Sequence, residues 1–168
     1  MAHRYLHKTY KHLAERNSTM KKMVYRPLKE SETLYDSCQI LDESRYNGYH
    51  YMIVSYGTHP CAYVELSKMH GLYGRDVYKF DDFPIECHGG ITYSSGKDGL
   101  FPLEHPCHRD GYWIGWDYNH YKDYHAYDIG SAKADRMFRC DKKWTTEEIL
   151  EEVKNVINQL GETPSNQQ

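Results

Sequence analysis

The sequence lacks long apolar runs and the marks of a secreted protein. No stretch approaches the roughly 20 apolar residues of a membrane-spanning helix, and the opening MAHRYLHKTY has no apolar core of a secretion signal. The five cysteines are odd in number and include no C-x-x-C pair, a pattern that favours reduced thiols over a disulfide framework. We therefore expect an intracellular protein that has no membrane partner.

Several catalytic signatures are also missing. The chain has no Walker loop, no G-x-G-x-x-G, no H-E-x-x-H and no G-x-S-x-G, which argues against the standard triphosphate, dinucleotide, zinc-protease and esterase sites. Its net charge of −3 lacks the basic surplus that long DNA or RNA requires. Residues 1–30 alone carry eight Lys or Arg against two acids. This basic segment either serves an anionic ligand or packs on the acidic remainder of the chain.

Aromatic and β-branched residues are plentiful, and they predict a sheet. The stretches 48–57 and 61–67 indicate neighbouring strands, 84–95 indicates one or two more, and 111–119 another. With 168 residues the chain can bury one ordinary hydrophobic core, which is the size of a single domain.

Two helices are expected to flank these strands. Apolar residues at helical spacing within residues 6–13 predict a short N-terminal helix. Near the C-terminus, Thr145 and Glu148 have the spacing of a capping box, and Gly161 is expected to end the helix that they begin. This helix, predicted over 146–160, carries one apolar stripe made of Ile149, Leu150, Val153, Val156, Ile157 and Leu160.

These elements predict one α+β domain over residues 1–160. Residues 1–47 would form an N-terminal arm and residues 48–160 the core, in which an antiparallel or mixed sheet is covered by the C-terminal helix. Residues 161–168 are expected to be a disordered tail.

Two acid–histidine pairs accompany the predicted strands. Glu86 and His88 would share one face of a strand, while Asp117 lies on the strand at 111–119 and His120 follows it. If the two strands are neighbours, the four side chains meet, and the imidazoles can act as general base and general acid on a phosphate. The alternative is that Glu86 and His88 are merely the solvent face of a half-buried strand.

Other residues could complete such a site. His70 and Asp123 could join the two pairs, and Gly89 and Gly90 could leave backbone amides free to approach phosphate oxygens. The segment 104–110 contains His and Cys but lacks the paired spacing of a zinc site. No metal ligand is assigned, and the cofactor requirement stays open, since the carboxylates and imidazoles could together hold a divalent ion.

Three stretches carry a family resemblance: YVELSKMHGLYG (63–74), ECHGGITY (86–93) and YWIGWDYNHYKD (112–123). The last two fit the patterns E-x-H-G-G-[LI]-T-[FY] and G-[FW]-D-x-x-H-x-x-D. Together the stretches resemble a family of small, mostly uncharacterised proteins encoded by tailed bacteriophages and prophages. The chain departs from the family pattern at Leu66, Ser67, Gly71, Asn119 and Lys122.

The resemblance implies a phage-encoded accessory protein in the cytoplasm of the bacterial host and, by analogy, an anti-defence role against a nucleotide signal. Three functions stay open: a phosphodiesterase that cleaves a small, cyclic nucleotide, a non-catalytic protein that sequesters it, and a structural or protein-binding factor. In the first, His88 and His120 transfer protons, and Glu86 and Asp117 orient them. The expected ligand-binding residues are His70, Tyr73, Gly89, Gly90, Thr92, Trp116 and Asp123. The sequence also leaves room for a homo-oligomer.

Overall fold

The computed structural model describes residues 20–76, 85–126 and 141–162. Five strands and one helix lie in these ranges: β1 (Gln39–Tyr46), β2 (Tyr49–Ser55), β3 (Pro60–Leu66), β4 (Tyr93–Ser94), β5 (Tyr112–Asp117) and α1 (Thr146–Glu162). The predicted N-terminal helix and residues 163–168 of the predicted tail lie outside the described residues. No helix in the described ranges is long and apolar enough to cross a membrane.

The five strands form one antiparallel sheet in the order β1-β2-β3-β5-β4. Asn47 and Gly48 join β1 to β2, and both have positive φ (45° and 86°), as a two-residue hairpin turn of this kind requires. β5 pairs with β3, so that Asp117 lies opposite Cys61 at the end of the sheet where β3 begins.

α1 covers one face of this sheet, which confirms the predicted α+β fold and its C-terminal covering helix. The predicted apolar stripe of the helix is buried. The capping box is also present, since the Thr145 N–H donates to Glu148 Oε2 (2.9 Å) and the Glu148 N–H donates to Thr145 Oγ1 (3.2 Å). Beneath the helix the sheet contributes Leu41, Tyr51, Ile53, Ala62, Val64, Leu66, Ile114 and Trp116.

The opposite face of the sheet is covered in part by the connection between β4 and β5. Met52, Val54, Tyr63 and Trp113 point to this side, where they pack with Leu100, Phe101 and Cys107 of the connection. Because the connection covers only part of this face, a cleft remains beside it.

Three boundaries differ from the sequence prediction. β1 lies inside the predicted arm 1–47, yet it pairs with β2 along its length. It is an edge strand in which Leu41 alone is fully buried, so it lacks the apolar alternation that marks a strand. Residues 85–92 contain no strand, and the predicted strand there shrinks to β4. α1 continues through Gly161 to Glu162, so the helix does not end at residue 160 and the tail does not begin at residue 161.

Candidate functional site

Residues 87–90 form a turn where the sequence predicted a strand. The Gly90 N–H donates to the Cys87 carbonyl oxygen (3.0 Å), and Gly89 and Gly90 have φ of 68° and 80°. The alternation of a strand does not apply here, so Glu86 and His88 do not share a strand face. The Gly90 N–H is also occupied by the turn, so it is not free for a phosphate oxygen as we had predicted.

Side chains of α1 hold the backbone that leads into this turn. Gln159 bonds both backbone groups of Glu86, since its Oε1 accepts from the N–H (2.7 Å) and its Nε2 donates to the carbonyl oxygen (2.9 Å). Seven residues earlier in the helix, Glu152 Oε1 accepts the N–H of His88 (2.9 Å). The segment therefore runs along the helix and places His88 beside its N-terminal half.

The His88 imidazole is fixed by a carboxylate and by two aromatic rings. Its Nε2–H donates to Asp123 Oδ2 (2.7 Å). The Tyr118 ring stacks on it with 5.1 Å between centroids, and the Trp144 ring lies 4.8 Å away. These contacts set both the tilt and the position of the imidazole, while about a quarter of its side chain stays exposed (24%).

Asp123 is the buried acceptor at the centre of this group. Its carboxylate, in a residue only 3% exposed, also accepts the Trp144 Nε1–H (2.8 Å) and the backbone N–H of His120 (2.9 Å). Burial alone would raise the pKa of Asp123, but the hydrogen bonds from Trp144, His120 and His88 outweigh it and hold the pKa below its usual value. The Asp123 carboxylate is therefore ionised at neutral pH.

His120 faces His88 across the turn, with 5.3 Å between the ring centroids. Its Nε2 lies 3.6 Å from Asp117 Oδ1 and is buried against the backbone of Gly89. A Cβ built at Gly89 would come within 1.8 Å of that nitrogen, so only glycine leaves the imidazole this place. The other oxygen of Asp117 accepts the Thr92 hydroxyl (3.2 Å). Three of the four predicted catalytic residues thus come together, since His88 and His120 meet and Asp117 lies beside them.

The ring nitrogens of this pair differ from those of four other described histidines. Both nitrogens are engaged by described residues in His50, His70, His105 and His108. In His88 and His120 the Nε2 faces a carboxylate, and no described residue hydrogen-bonds to either Nδ1. A hydrogen bond to Asp123 therefore orients His88, whereas His120 Nε2 lies near Asp117 without a hydrogen bond to any described residue. Each ring has its Nδ1 left for a ligand.

A cleft of about 390 Å³ opens on the sheet face opposite α1. Aromatic side chains form much of its wall: Tyr35, Tyr56, Tyr63, Tyr93 and Phe101. Asp117 and Thr92 line the same cleft. Because Asp117 is also the carboxylate that His120 faces, the cleft and the histidine pair adjoin through this one residue.

Two of the predicted ligand-binding residues lie elsewhere. His70 is buried and donates its Nε2–H to the Leu160 carbonyl oxygen (3.1 Å) in the last turn of α1. Leu160 is eight residues beyond Glu152, about 12 Å along a helix. Tyr73, in the turn after His70, packs on Tyr112 with 5.2 Å between ring centroids. Neither residue contacts the histidine pair.

Trp116 and Glu86 lie in settings that the sequence did not predict. Trp116 borders the cleft, but it is fully buried under α1 and its Nε1–H donates to Glu152 Oε2 (3.1 Å), so the indole is part of the core. Glu86 is exposed, and the bonds from Gln159 hold its backbone. The carboxylate that orients His88 is Asp123, which we had predicted only as a ligand-binding residue.

The sequence did not indicate Glu152, Trp144 or Tyr118 as parts of this site. Glu152 and His88 are 64 residues apart, and no local pattern connects them. Trp144 directly precedes the helix cap, so the sequence indicated that this residue lies at the start of the helix. The sequence did not indicate the hydrogen bond from Trp144 to Asp123. His59 was missed as well, although it is buried beside the cleft.

Comparison of the chain with known protein families, curated proteins and solved structures found no match. Within the described ranges, no group of three or more His, Cys, Asp or Glu side chains is arranged to hold a metal ion.

Proposed function

We propose that the protein is a phosphodiesterase that cleaves a small nucleotide, with the phosphate bound between His88 and His120. The observation that carries the proposal is the pair of imidazoles 5.3 Å apart, each with Nε2 facing a carboxylate and Nδ1 left for a ligand. Imidazole is the side chain that gains and loses a proton near neutral pH, and an acid partner fixes which nitrogen does so.

The pair supports a water-dependent cleavage. One imidazole accepts a proton from a water molecule while the water oxygen forms a bond to phosphorus. The other imidazole donates a proton to the leaving oxygen while the bond between that oxygen and phosphorus breaks. Asp123 orients His88 through its hydrogen bond, Asp117 lies beside His120, and the two carboxylates balance the positive charge that passes between the rings. The exposed Glu86 has no part in this scheme.

A thiol nucleophile is a poor alternative at this position. Cys87 is a free thiol beside His88 in the chain. Burial, together with the nearby charge of Glu152, raises the pKa of Cys87 to about 12. The thiol stays protonated at neutral pH, and a protonated thiol is a weak nucleophile.

Sequestration without cleavage is the second candidate. Its support is the aromatic wall of the cleft, because stacked rings bind nucleobases whether or not a reaction follows. For either function we propose an anti-defence role, performed by a phage protein in the cytoplasm of a bacterial host. The motifs at 86–93 and 112–123 support this role.

The test is incubation with cyclic mononucleotides, cyclic dinucleotides and NAD-derived signals, with and without EDTA, followed by chromatography. We expect cleavage of at least one compound, and the EDTA arm reports whether a divalent ion takes part. His88→Ala and His120→Ala should each lower kcat by a factor of about 10² or more while the fold is retained.

His50→Ala is the matched control, because it also removes an imidazole that has a carboxylate partner. His50 lies between Glu43 and Glu65 and does not line the cleft. This variant should keep kcat within about twofold, the size expected when no transition-state contact is lost. Capture of a nucleotide without products would support sequestration, and wild-type rates in both site variants would refute the proposed catalytic pair.

A further inference from the structure

The cleft is built from aromatic rings that brace one another. Phe101 stands edge-to-face with Tyr35 (6.2 Å between centroids) and with Tyr63 (5.9 Å), and Tyr63 stands edge-to-face with Tyr93 (5.5 Å). These rings hold the wall in place without a ligand, so little side-chain freedom remains to be lost on binding.

Two of these rings are exposed at the mouth of the cleft. Tyr35 is 54% exposed and Tyr93 is 36% exposed, and both line the cleft. Leu34, beside Tyr35, is exposed too and lines the same cleft. Apolar surface gathered around a concavity is the usual mark of a ligand site.

The charge of the cleft limits what can enter it. Among the described residues that line it, Asp117 is the one charged side chain, and none is Lys or Arg. A phosphate would therefore meet a carboxylate and no cation inside the cleft, which is unfavourable. An uncharged, planar group meets aromatic faces instead.

Polar atoms are placed at the end of the cleft nearest the histidine pair. Thr92, Asn119 and Asp117 lie there, and Asp117 is 3.6 Å from His120. His59, which lines the same cleft, is hydrogen-bonded through Nδ1 to the Thr58 hydroxyl (2.9 Å), while no described residue bonds to its Nε2. Burial lowers the pKa of His59, so its ring is neutral at pH 7 and can contact the edge of a base.

We propose that the cleft binds one nucleoside unit of the substrate, with the base against Tyr35, Tyr93 and Phe101 and the sugar hydroxyls at Asp117 and Asn119. The proposal rests on the proposed function, because it supposes that the phosphate lies at His120. A volume of about 390 Å³ is near the lower limit of small-molecule sites, so it suits one base and its sugar. The substrate class is a nucleotide that presents a single nucleoside to the cleft, and the second base of a cyclic dinucleotide stays outside.

Calorimetric titration with free nucleosides tests the cleft without requiring any reaction. The probes are adenosine, guanosine, cytidine and uridine, with ribose 5-phosphate as the ligand that has a phosphate but no base. We expect at least one nucleoside to bind, and Tyr35→Ala and Tyr93→Ala each to weaken that binding about tenfold, as loss of a stacking ring does. Binding of ribose 5-phosphate should not change in these variants.

Tyr121→Ala is the control, since it removes a tyrosine ring that is 90% exposed but does not line the cleft. Because Tyr35 and Tyr93 are also exposed, their variants should melt close to the wild-type temperature. The proposal would be overturned if no nucleoside bound, or if nucleoside affinity were unchanged in both Tyr35→Ala and Tyr93→Ala.

The two proposals can fail separately. If a nucleotide is cleaved but Tyr35→Ala and Tyr93→Ala leave KM unchanged, the cleft does not hold the base, and the catalytic proposal stands. If nucleosides bind with the expected dependence on Tyr35 and Tyr93 but no phosphodiester is cleaved, the cleft proposal stands, and the catalytic proposal fails.

Discussion

At the scale of single residues, the contact between Gly89 and His120 is the tightest constraint on the site. Gly89 has φ of 68°, and a Cβ there would lie 1.8 Å from His120 Nε2. Gly90 has a similar φ of 80°, but a Cβ there would meet nothing within 4 Å. A substitution at Gly90 would therefore introduce backbone strain alone. A substitution at Gly89 would introduce backbone strain and would also fill the space that the imidazole occupies.

We predict that Gly89→Ala and Gly90→Ala both lose about 1–2 kcal/mol of unfolding free energy, because alanine disfavours a left-handed backbone. Gly89→Ala should lose at least about 1 kcal/mol more, since the new methyl group overpacks the site. Urea unfolding measures both losses.

Only Gly89→Ala should also shift the ring signals of His120 in an NMR spectrum. Equal stabilities and unchanged His120 signals in the two variants would show that the imidazole does not rest on Gly89.

The sequence could predict part of the residue-scale picture. His88 and His120 were expected to meet, and they do. The reason given was wrong, because it required Glu86 and His88 to share a strand face. The turn at 87–90 and the bond to Asp123 replace that arrangement. The Gly89–Gly90 pair was a usable signal for the turn, but the bond has no local signal, since Asp123 lies 35 residues from His88.

At the scale of elements, α1 does more than cover the sheet. Glu152 accepts the His88 N–H through Oε1 and the Trp116 Nε1–H through Oε2, and it also accepts the hydroxyl of Tyr118. One helical side chain thus joins the turn at 87–90 to β5. The site and the core share this carboxylate.

We predict that Glu152→Ala lowers the free energy of unfolding by more than about 2 kcal/mol, because it leaves part-buried donors without an acceptor. Glu151→Ala is the control, since Glu151 is an exposed neighbour paired with Lys154 (2.5 Å). Its loss should stay within about 1 kcal/mol, as for exposed ion pairs. Chemical denaturation of the two variants checks this, and similar losses would contradict the assigned role of Glu152.

The main elements were predictable, because their apolar spacing is strong. β2, β3, β5 and α1 were each expected near their actual positions, and the capping box marks the helix start. β1 was missed because burial is confined to one position of an edge strand. The pair Asn47–Gly48 was a usable signal for it, since this dipeptide favours a two-residue hairpin turn.

At the scale of the whole molecule, burial and hydrogen bonding give the fold a dependence on pH. Burial lowers the pKa of His59 and of His70, so both rings are neutral in the folded chain when the unfolded chain begins to protonate them. Hydrogen bonds hold the carboxyl pKa of Asp123 and Glu43 below the usual range. The hydrogen bond to the Phe101 carbonyl oxygen raises the pKa of the part-buried His108, which acts in the opposite direction.

We predict that stability falls on acidification in two steps. As pH drops below about 6.5, the unfolded chain binds protons at His59 and His70 that the folded chain refuses, and below about pH 4 the same holds for carboxyl groups such as Asp123. Urea unfolding from pH 8 to pH 3 measures both steps.

His70→Gln should reduce the first step and leave the second in place. Stability that rises between pH 7 and pH 5 would contradict the prediction, and so would an unchanged first step in this variant.

α1 follows every strand that the structure describes, and this order matters while the protein is being made. About 2–6 s of synthesis separate Asp117 from Ile149 at 5–20 residues per second, and during that time the apolar face of the sheet lacks the cover that α1 provides. Incomplete chains in that state aggregate most readily through unpaired strand edges. Here one edge is the two-residue β4, and the other is β1 with its polar Asp42, Glu43 and Arg45. The polar residues of β1 are the reason that the sequence did not predict this strand. We expect the same residues to disfavour aggregation of the nascent chain through this edge.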